Sequence, residues 1–307
     1  MGNKVIISLL FVIIFLEGCG RLQPGQDSPG EIIALRMTIS DNLSYAPIFI
    51  AEEEGYFTKY GIEIEYVTTD KAADSIAMLS SGKIEIYAGT LNTGLINAIQ
   101  ADDNIKVVAD RGHTEPGTCT YQAIVVRKDL YDSGQVTAPE DLHGLTFSTT
   151  TAGPAAYLLS SYISQGGLAF EDLDIIDLPT ASEMDGFDTG SLDGSIAPDP
   201  SLTRLLRTGD VSILATAEDV IGIFQSGIIA FNNQLLEKTP DVGVRFMAAY
   251  LEGVRQYNQG KTDRNIEIIA AATGETAEDV KEFCWVPVNE DGTINFPSVD
   301  KFQQWSI

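Results

Sequence analysis

Short polar side chains and one arginine follow the predicted strands of this chain, and these residue types can hold a small molecule without covalent chemistry. Hydroxyl and amide groups beside the free N–H groups of a helix start bind polar ligand atoms well. Tyrosine rings nearby provide surfaces on which a flat ligand stacks. The candidates in the first half of the chain are Asn42, Ser44, Tyr45, Thr90, Asn92, Thr93 and Arg111. Those in the second half are Thr149, Thr150, Thr151, Gly153, Tyr157, Asp199 and Gln225.

Several of these candidates also have a structural explanation, and the sequence leaves both open. Asn92 and Asp199 are suitable N-caps for the helices that follow them, and residues 149–151 are suitable for a helix-capping loop. Arg111 is more often a residue of a surface or interlobe ion pair. Gln225 lies in a later apolar run, from which it is expected to reach the same ligand.

Catalytic chemistry is poorly supported. The sequence contains no Gly-x-Ser-x-Gly, Gly-x-Gly-x-x-Gly, Walker or His-Glu-x-x-His motif, and its two histidines, His113 and His143, lie in separate predicted loops. No Cys-x-x-Cys or Cys/His cluster indicates a metal site. We therefore expect no enzyme activity, no cofactor and no metal. Cys119 and Cys284 either pair in an oxidising compartment or lie buried as free thiols, and we favour the free thiols.

The elements that position the candidates form two successive units of the same order. The first unit has predicted strands at residues 33–39, 62–67, 84–88 and 105–109, and predicted helices at 46–54, 72–81 and 92–100. The second has strands at 145–148, 173–178, 194–197 and 211–214, and helices at 154–164, 181–188 and 199–207. Repeated strand–helix units of this kind predict an α/β fold with two similar lobes, each built on a largely parallel sheet.

Apolar runs at residues 121–127 and 221–231 carry the chain from one lobe to the other and back. Two such crossings form a hinge about which lobes can close on a ligand. The predicted first lobe comprises residues 31–124 and 226–307, and the second comprises residues 125–225. Helices at 240–257 and 265–272 are expected to pack on the first lobe. The residues of the longer helix predicted to face inward are Val244, Phe246, Met247, Tyr250, Leu251 and Val254.

The N-terminus predicts export and a lipid anchor. An apolar run at residues 5–16 follows Lys4 and is shorter than the roughly 20 residues of a membrane span, as in a signal peptide. Residues 16–19 (LEGC) resemble the bacterial lipobox, which implies that residues 1–18 are removed and that Cys19 receives the lipid. Residues 19–30 then form a flexible tether. The net charge of −25 disfavours nucleic-acid binding, and we expect a monomer that touches the membrane only through its anchor.

Three motifs resemble those of type II periplasmic solute-binding proteins. They are AEEEGYF at residues 51–57 with YGIEI at 60–64, LSSGKIEI at 79–86, and PEDLHG at 139–144. The resemblance covers residues 33–305 and concerns the branch that handles nitrate, sulfonates and taurine, pyrimidine precursors of thiamine, and riboflavin. It implies two Rossmann-like lobes joined by two crossover strands, and a small molecule delivered to an ABC permease with its ATPase. It also implies a further segment beyond Ile307.

The ligand is predicted from charge. Only Arg111 and His113 offer positive groups, and Asp199 on the opposite rim would disfavour an anion. We therefore favour a neutral or weakly basic ring compound, such as a pyrimidine precursor of thiamine or riboflavin, stacked on Tyr45 or Tyr157. The alternatives are a sulfonate, taurine or nitrate anion, and a ligand-sensing protein that reports to a receptor.

Overall fold

The computed structural model describes residues 32–69, 71–101 and 104–306. The predicted signal peptide, the lipidation site Cys19 and the tether at residues 19–30 lie outside the described residues. Among the described helices, none has both the length and the apolar character that crossing a membrane requires.

The secondary structure of the described residues follows the predicted order, and most element bounds agree with the prediction to within a few residues. The strands are β1 (Ile33–Thr38), β2 (Ile62–Val67), β3 (Ile86–Thr90), β4 (Lys106–Thr114), β5 (Gln122–Arg127), β6 (Thr146–Ser148), β7 (Asp174–Ile176), β8 (Gly194–Pro198), β9 (Val211–Thr216) and β10 (Phe224–Phe231). The helices are α1 (Ala46–Glu53), α2 (Tyr56–Lys59), α3 (Ala72–Ser80), α4 (Thr93–Ala101), α5 (Lys128–Asp132), α6 (Pro154–Ile163), α7 (Thr180–Thr189), α8 (Ser201–Thr208), α9 (Ala217–Val220), α10 (Pro240–Tyr257), α11 (Asp263–Thr273), α12 (Ala277–Glu282) and α13 (Phe296–Ser306).

Two five-stranded sheets have the same topology. The first has the strand order β2-β1-β3-β10-β4, and the second has the order β7-β6-β8-β5-β9. In the first sheet β2, β1 and β3 run parallel to one another, and β10 runs antiparallel to its neighbours β3 and β4. In the second sheet β7, β6 and β8 run parallel to one another, and β5 runs antiparallel to its neighbours β8 and β9. Each sheet with its helices is called a lobe below. The predicted α/β fold of two similar lobes is confirmed.

The two sheets exchange one strand each. Strand β5 directly follows the first unit but belongs wholly to the second sheet, and β10 follows the second unit but belongs to the first sheet. The chain therefore crosses between the sheets at residues 115–121 and again within residues 217–223. The predicted crossing strands at 121–127 and 221–231 thus lie mostly within the sheets, with the crossings at their N-terminal ends.

Helix α10 packs on α1 of the first lobe, as predicted. Phe246, Tyr250 and Val254 are buried at four-residue spacing. A Cβ atom at Gly253 would lie 2.3 Å from the carbonyl oxygen of Pro47, so a side chain there would push the two helices apart. The inward prediction for Val244 was wrong, because its side chain is 68% exposed. Two residues before Phe246, it lies on the opposite face of a helix with 3.6 residues per turn.

Cys119 and Cys284 form a disulfide, with Sγ atoms 2.03 Å apart and Cα atoms 5.6 Å apart. The preference for two free thiols was therefore wrong. Cys119 lies in the first crossing, and Cys284 lies after α12, 165 residues further along the chain. The segment that contains Cys284 (residues 283–288, the C-terminal strap) returns to the first lobe, where the backbone N–H of His113 donates to the carbonyl of Pro287 at 3.0 Å. Only this tertiary path brings the two cysteines together.

Candidate functional site

A cavity of about 560 Å³ lies between the two lobes. Its walls come from the carboxyl ends of β3, β6 and β8 and from the loops and helix starts that follow them, which is where ligands bind in parallel α/β sheets. The first lobe and the strap contribute Ser44, Ala72, Ala73, Ile76, Thr90, Asn92, Gly94, Arg111, Gly112, Ser226, Gly227 and Val286. The second lobe and the first crossing contribute Tyr121, Gln122, Thr150, Ala152, Gly153, Pro154, Ala155 and Pro198.

Arg111 is a buried cation in the wall of this cavity, with only 2% of its surface exposed. Its Nη1 donates to the carbonyl and to the Oγ of Ser44, each at 2.9 Å, and its Nη2 donates to the carbonyl of Gly89 at 2.9 Å. All these acceptors are neutral, and no ion pair within the described residues includes Arg111. A buried charge normally has a counter-charge, so Arg111 is well suited to an anionic or strongly accepting ligand group.

The surroundings of Arg111 fix its position. The guanidinium carbon lies 4.1 Å from the centre of the Tyr45 ring, and the Tyr45 hydroxyl donates to the carbonyl of Ala88 at 3.0 Å. This cation–π contact holds one face of the guanidinium. A Cβ atom at Gly227 would approach Arg111 Nη2 to 3.3 Å, so only glycine leaves this side unobstructed. The arginine is therefore held in place by the protein and does not depend on a ligand for its orientation.

Tyr121 lines the cavity at the end of the first crossing. Burial raises the pKa of its hydroxyl, while the positive charge of Arg111 and a hydrogen bond with Ser44 lower it in part. The phenol therefore stays protonated at neutral pH and is available for hydrogen bonding. Tyr121, Ser44 and Arg111 make up a polar group on an otherwise largely apolar wall.

Asn92 has a structural role and also lines the cavity. Its Oδ1 accepts from the backbone N–H of Leu95 at 3.0 Å, which caps helix α4, and its Nδ2 donates to the carbonyl of Thr90 at 3.1 Å. Asn92 and Thr90 both line the cavity. Asn92 therefore caps a helix and lies at the surface of the cavity at the same time, so the two interpretations are compatible.

Thr150 and Gly153 form the second-lobe wall of the cavity at the start of α6. The Thr150 hydroxyl donates to the carbonyl of Ala152 at 2.7 Å. Gly153 has φ of 87°, a left-handed conformation that favours glycine, directly before Pro154 at the helix start. This tight turn brings the backbone close to the cavity.

Six further candidates lie near the cavity without lining it. Asn42 accepts from the backbone N–H of Ser44, and Tyr45 lies behind Arg111. Tyr157 packs among aromatic rings, with ring centroids 5.2 Å from Phe224 and 5.4 Å from Trp305. The other three are Thr93, in the first turn of α4, and Thr149 and Thr151, on either side of Thr150.

Asp199 and Gln225 are buried and do not line the cavity. Asp199 Oδ1 accepts from the backbone N–H of Thr203 at 2.8 Å, and its Oδ2 accepts from that of Cys284. Gln225 is fully buried, and its Nε2 donates to Asp110 Oδ1 at 2.6 Å. Because successive strand residues face opposite sides, the neighbour Ser226 lines the cavity in its place.

Sequence reasoning missed several residues of the wall. The period-two alternation of β10 would have predicted Ser226 as a cavity residue, if the face opposite to Gln225 had been assigned to the ligand. Tyr121 lies at the start of a predicted crossing, where a cleft residue is reasonable. Ala72, Ala73 and Ile76 lie on α3, and nothing in a short amphipathic helix distinguishes the end that reaches a cavity. Val286 belongs to the strap, whose path no local pattern indicates.

Comparison with known proteins relates the chain to solute-binding proteins. Residues 42–259 match the family described as "NMT1/THI5 like". The chain is 25% identical over 191 residues to the formylaminopyrimidine-binding protein of Halalkalibacterium halodurans, and the alignment covers 62% of this chain but only 53%, about half, of that relative. It is 22% identical over 255 residues to the taurine-binding periplasmic protein of Escherichia coli, covering 80% of this chain and 76% of the relative.

The fold matches a solved binding protein. The periplasmic aliphatic sulphonate binding protein SsuA of Escherichia coli superimposes with a TM-score of 0.69 at 18% identity, covering 89% of this chain and 85% of that one. The predicted type II periplasmic binding protein fold is thereby confirmed. At this level of identity the similarity establishes the fold alone.

Proposed function

The chain belongs to the NMT1/THI5-like family, and we propose that it is an exported, lipid-anchored solute-binding protein that delivers a small organic molecule to an ABC importer. The observation that carries the proposal is the cavity between the lobes, with the buried Arg111 in its wall. Two α/β lobes joined by two crossings can close about a ligand at this place. The permease would recognise the closed form, which the ligand favours through its higher affinity for that form.

The composition of the cavity wall supports binding without catalysis. Among the described residues that line it there is no histidine, cysteine, aspartate or glutamate. General acid–base catalysis, and the activation of a serine or threonine hydroxyl as a nucleophile, depend chiefly on these types. Arg111, Tyr121 and the neutral hydroxyl and amide groups instead provide hydrogen bonds to a ligand that leaves unchanged.

Arg111 also bears on the ligand class. The preference for a neutral ring compound rested on Asp199 and on the rings of Tyr45 and Tyr157, and none of these three residues lines the cavity. The unpaired guanidinium favours a ligand with an anionic or strongly accepting group, and the apolar wall suits a compact organic body. Both a sulfonate and a ring compound with carbonyl or ring-nitrogen acceptors meet these conditions.

A thermal-shift screen of the full-length protein tests the proposal. The compounds are riboflavin, the 4-amino-5-hydroxymethyl-2-methylpyrimidine precursor of thiamine, taurine, alkanesulfonates and nitrate, and at least one organic compound should raise the Tm. Substitution Arg111→Gln should weaken the binding of that compound at least tenfold, a loss of about 1.5–3 kcal/mol from one charged hydrogen bond. The control is Arg255→Gln, which removes the same charge from an exposed position on α10 and should bind the compound normally.

A second variant guards against misfolding of Arg111→Gln. Ala73 is exposed on α3 and lines the cavity, so Ala73→Trp should block the cavity while the core stays intact. Unchanged affinity in both Arg111→Gln and Ala73→Trp would show that the ligand binds elsewhere.

Labelling of Cys19 by a radioactive or clickable fatty acid in the producing cell tests the lipid anchor separately, with Cys19→Ser as the unlabelled control.

A further inference from the structure

A second, smaller pocket of about 280 Å³ opens at the carboxyl ends of β6, β7 and β8 in the second lobe. It shares Thr150, Ala155 and Pro198 with the interlobe cavity, so the two spaces adjoin along one wall. The pocket has both polar and apolar lining residues, and the polar ones include Ser148, Thr180 and Glu183. We call it the Glu183 pocket.

Glu183 is a buried carboxyl group, with 7% of its surface exposed. Its Oε1 accepts a hydrogen bond from Ser195 Oγ at 2.8 Å, and the Ser148 hydroxyl also bonds to it. Within the described residues no ion pair includes Glu183. Burial is the main cause that raises the pKa of Glu183, and Asp177, a second carboxylate in the wall of the same pocket, adds a smaller increase through its like charge. The like charge makes the absence of a cation more costly.

Glu183 and Arg111 are complementary. Each is a buried charged side chain that the described residues leave without a counter-charge, and each lies in the wall of one of two adjoining spaces. They come from different lobes, Arg111 from β4 and Glu183 from α7. An unpaired buried charge costs free energy in the empty protein, and a ligand of opposite charge recovers that cost on binding.

We infer that Glu183 forms a subsite for a protonated amine or an amino-substituted ring, so that the solute carries a donor group at one end and an acceptor or anionic group for Arg111 at the other. This inference rests on the proposed function and narrows it, because anions without a donor group would leave Glu183 unpaired. The two lobes would each hold one end of the solute. A ligand that bridges them in this way favours the closed form over the open one.

Isothermal titration calorimetry of the full-length protein with matched pairs of probes tests the inference. The pairs are taurine with ethanesulfonate, and 4-amino-5-hydroxymethyl-2-methylpyrimidine with 5-hydroxymethyl-2-methylpyrimidine, which lacks the amino group. In at least one pair the amino compound should bind about tenfold or more tightly than its partner. Glu183→Gln should remove most of this preference and leave the affinity of the amine-free partner within about twofold. Glu171→Gln, which removes an exposed carboxylate of the second lobe, should change neither.

The outcomes separate this inference from the proposed function. If Arg111→Gln abolishes binding while Glu183→Gln leaves the amino compound unaffected, the solute-binding function stands and the subsite is wrong. Equal affinity of wild-type protein for both members of every pair that binds would also overturn the subsite. Loss of both members in a folded Glu183→Gln variant would assign Glu183 a structural role and contradict the inference. If no probe binds to wild-type protein, both the proposed ligand classes and the subsite are wrong.

Discussion

Asn92 and Asp199 occupy equivalent places in the two lobes, and they have different environments. Each follows the third parallel strand of its unit, β3 in the first lobe and β8 in the second, and each accepts a hydrogen bond from the backbone of the next helix. Asn92 faces the cavity. Asp199 is 2% exposed and lies against the strap.

The strap explains the difference. The backbone N–H of Cys284 donates to Asp199 Oδ2, so both carboxylate oxygens of Asp199 have partners within the protein. Arg207 of α8 pairs with Asp279 of α12 at 2.6 Å, which draws the second lobe and the C-terminal helices together beside it. The same local pattern therefore yields a binding surface in one lobe and an interlobe contact in the other. A cap residue becomes a ligand candidate only where no other segment covers it.

Removal of the disulfide should have the largest effect on this comparison. Cys119→Ser with Cys284→Ser frees the strap from the first crossing, and opening a link that spans 165 residues should lower the free energy of unfolding by about 4 kcal/mol. Urea denaturation followed by circular dichroism measures the change. Reductant should destabilise wild-type protein by a similar amount and leave the double variant unaffected. An equal stability of both proteins under oxidising conditions would contradict the role of the strap.

Alanine at the two equivalent positions should separate stability from binding. Asp199→Ala leaves the backbone N–H groups of Thr203 and Cys284 without their acceptor and should lower the free energy of unfolding by about 3 kcal/mol, with little change in ligand affinity. Asn92→Ala removes one helix cap, for about 1 kcal/mol, and should weaken ligand binding several-fold. Chemical denaturation and calorimetry on both variants measure the two effects. Weakened ligand binding in Asp199→Ala, together with normal binding in Asn92→Ala, would show that Asp199, and not Asn92, contacts the ligand.

The pH dependence of stability should reveal Glu183 through a smaller effect. Burial raises the pKa of its carboxyl group, with a further increase from Asp177, so the folded protein retains this proton to higher pH than the unfolded chain does. Stability is therefore lost as the pH rises from the ordinary glutamate pKa through the raised value. Ligand-free Glu183→Gln should lack this loss and melt roughly 2 °C above wild type at pH 7.

The difference in Tm between Glu183→Gln and wild type should disappear at a pH below the ordinary pKa of glutamate, where both side chains are neutral. Glu171→Gln is the control and should follow the wild-type profile. A Glu183→Gln variant that is less stable than wild type at pH 7 would mean that the hydrogen bonds from Ser148 and Ser195 outweigh the cost of burying the charge.

Much of the fold was predictable because its signals are local. Alternating apolar residues identified β1 and β2, and a proline at the helix start identified α6 and α10. Six of the fourteen candidate ligand residues line the cavity: Ser44, Thr90, Asn92, Arg111, Thr150 and Gly153. Their position follows from topology, since the carboxyl ends of parallel strands meet at one edge of a sheet. The ligand itself was not predictable, because it depends on which charges remain unpaired after folding.

Local sequence patterns specify the repeated α/β units, the order of their elements and the edge of each sheet where polar loops collect, because hydrophobic periodicity and turn residues act over a few neighbours. Long-range contacts determine which loop residues face the cavity. In the tertiary structure, Gln225 is buried and Ser226 faces the cavity. Cys119 pairs with Cys284, and the strap lies over Asp199. Burial, charge pairing and strand facing depend on contacts between residues far apart in the chain, which no local pattern specifies.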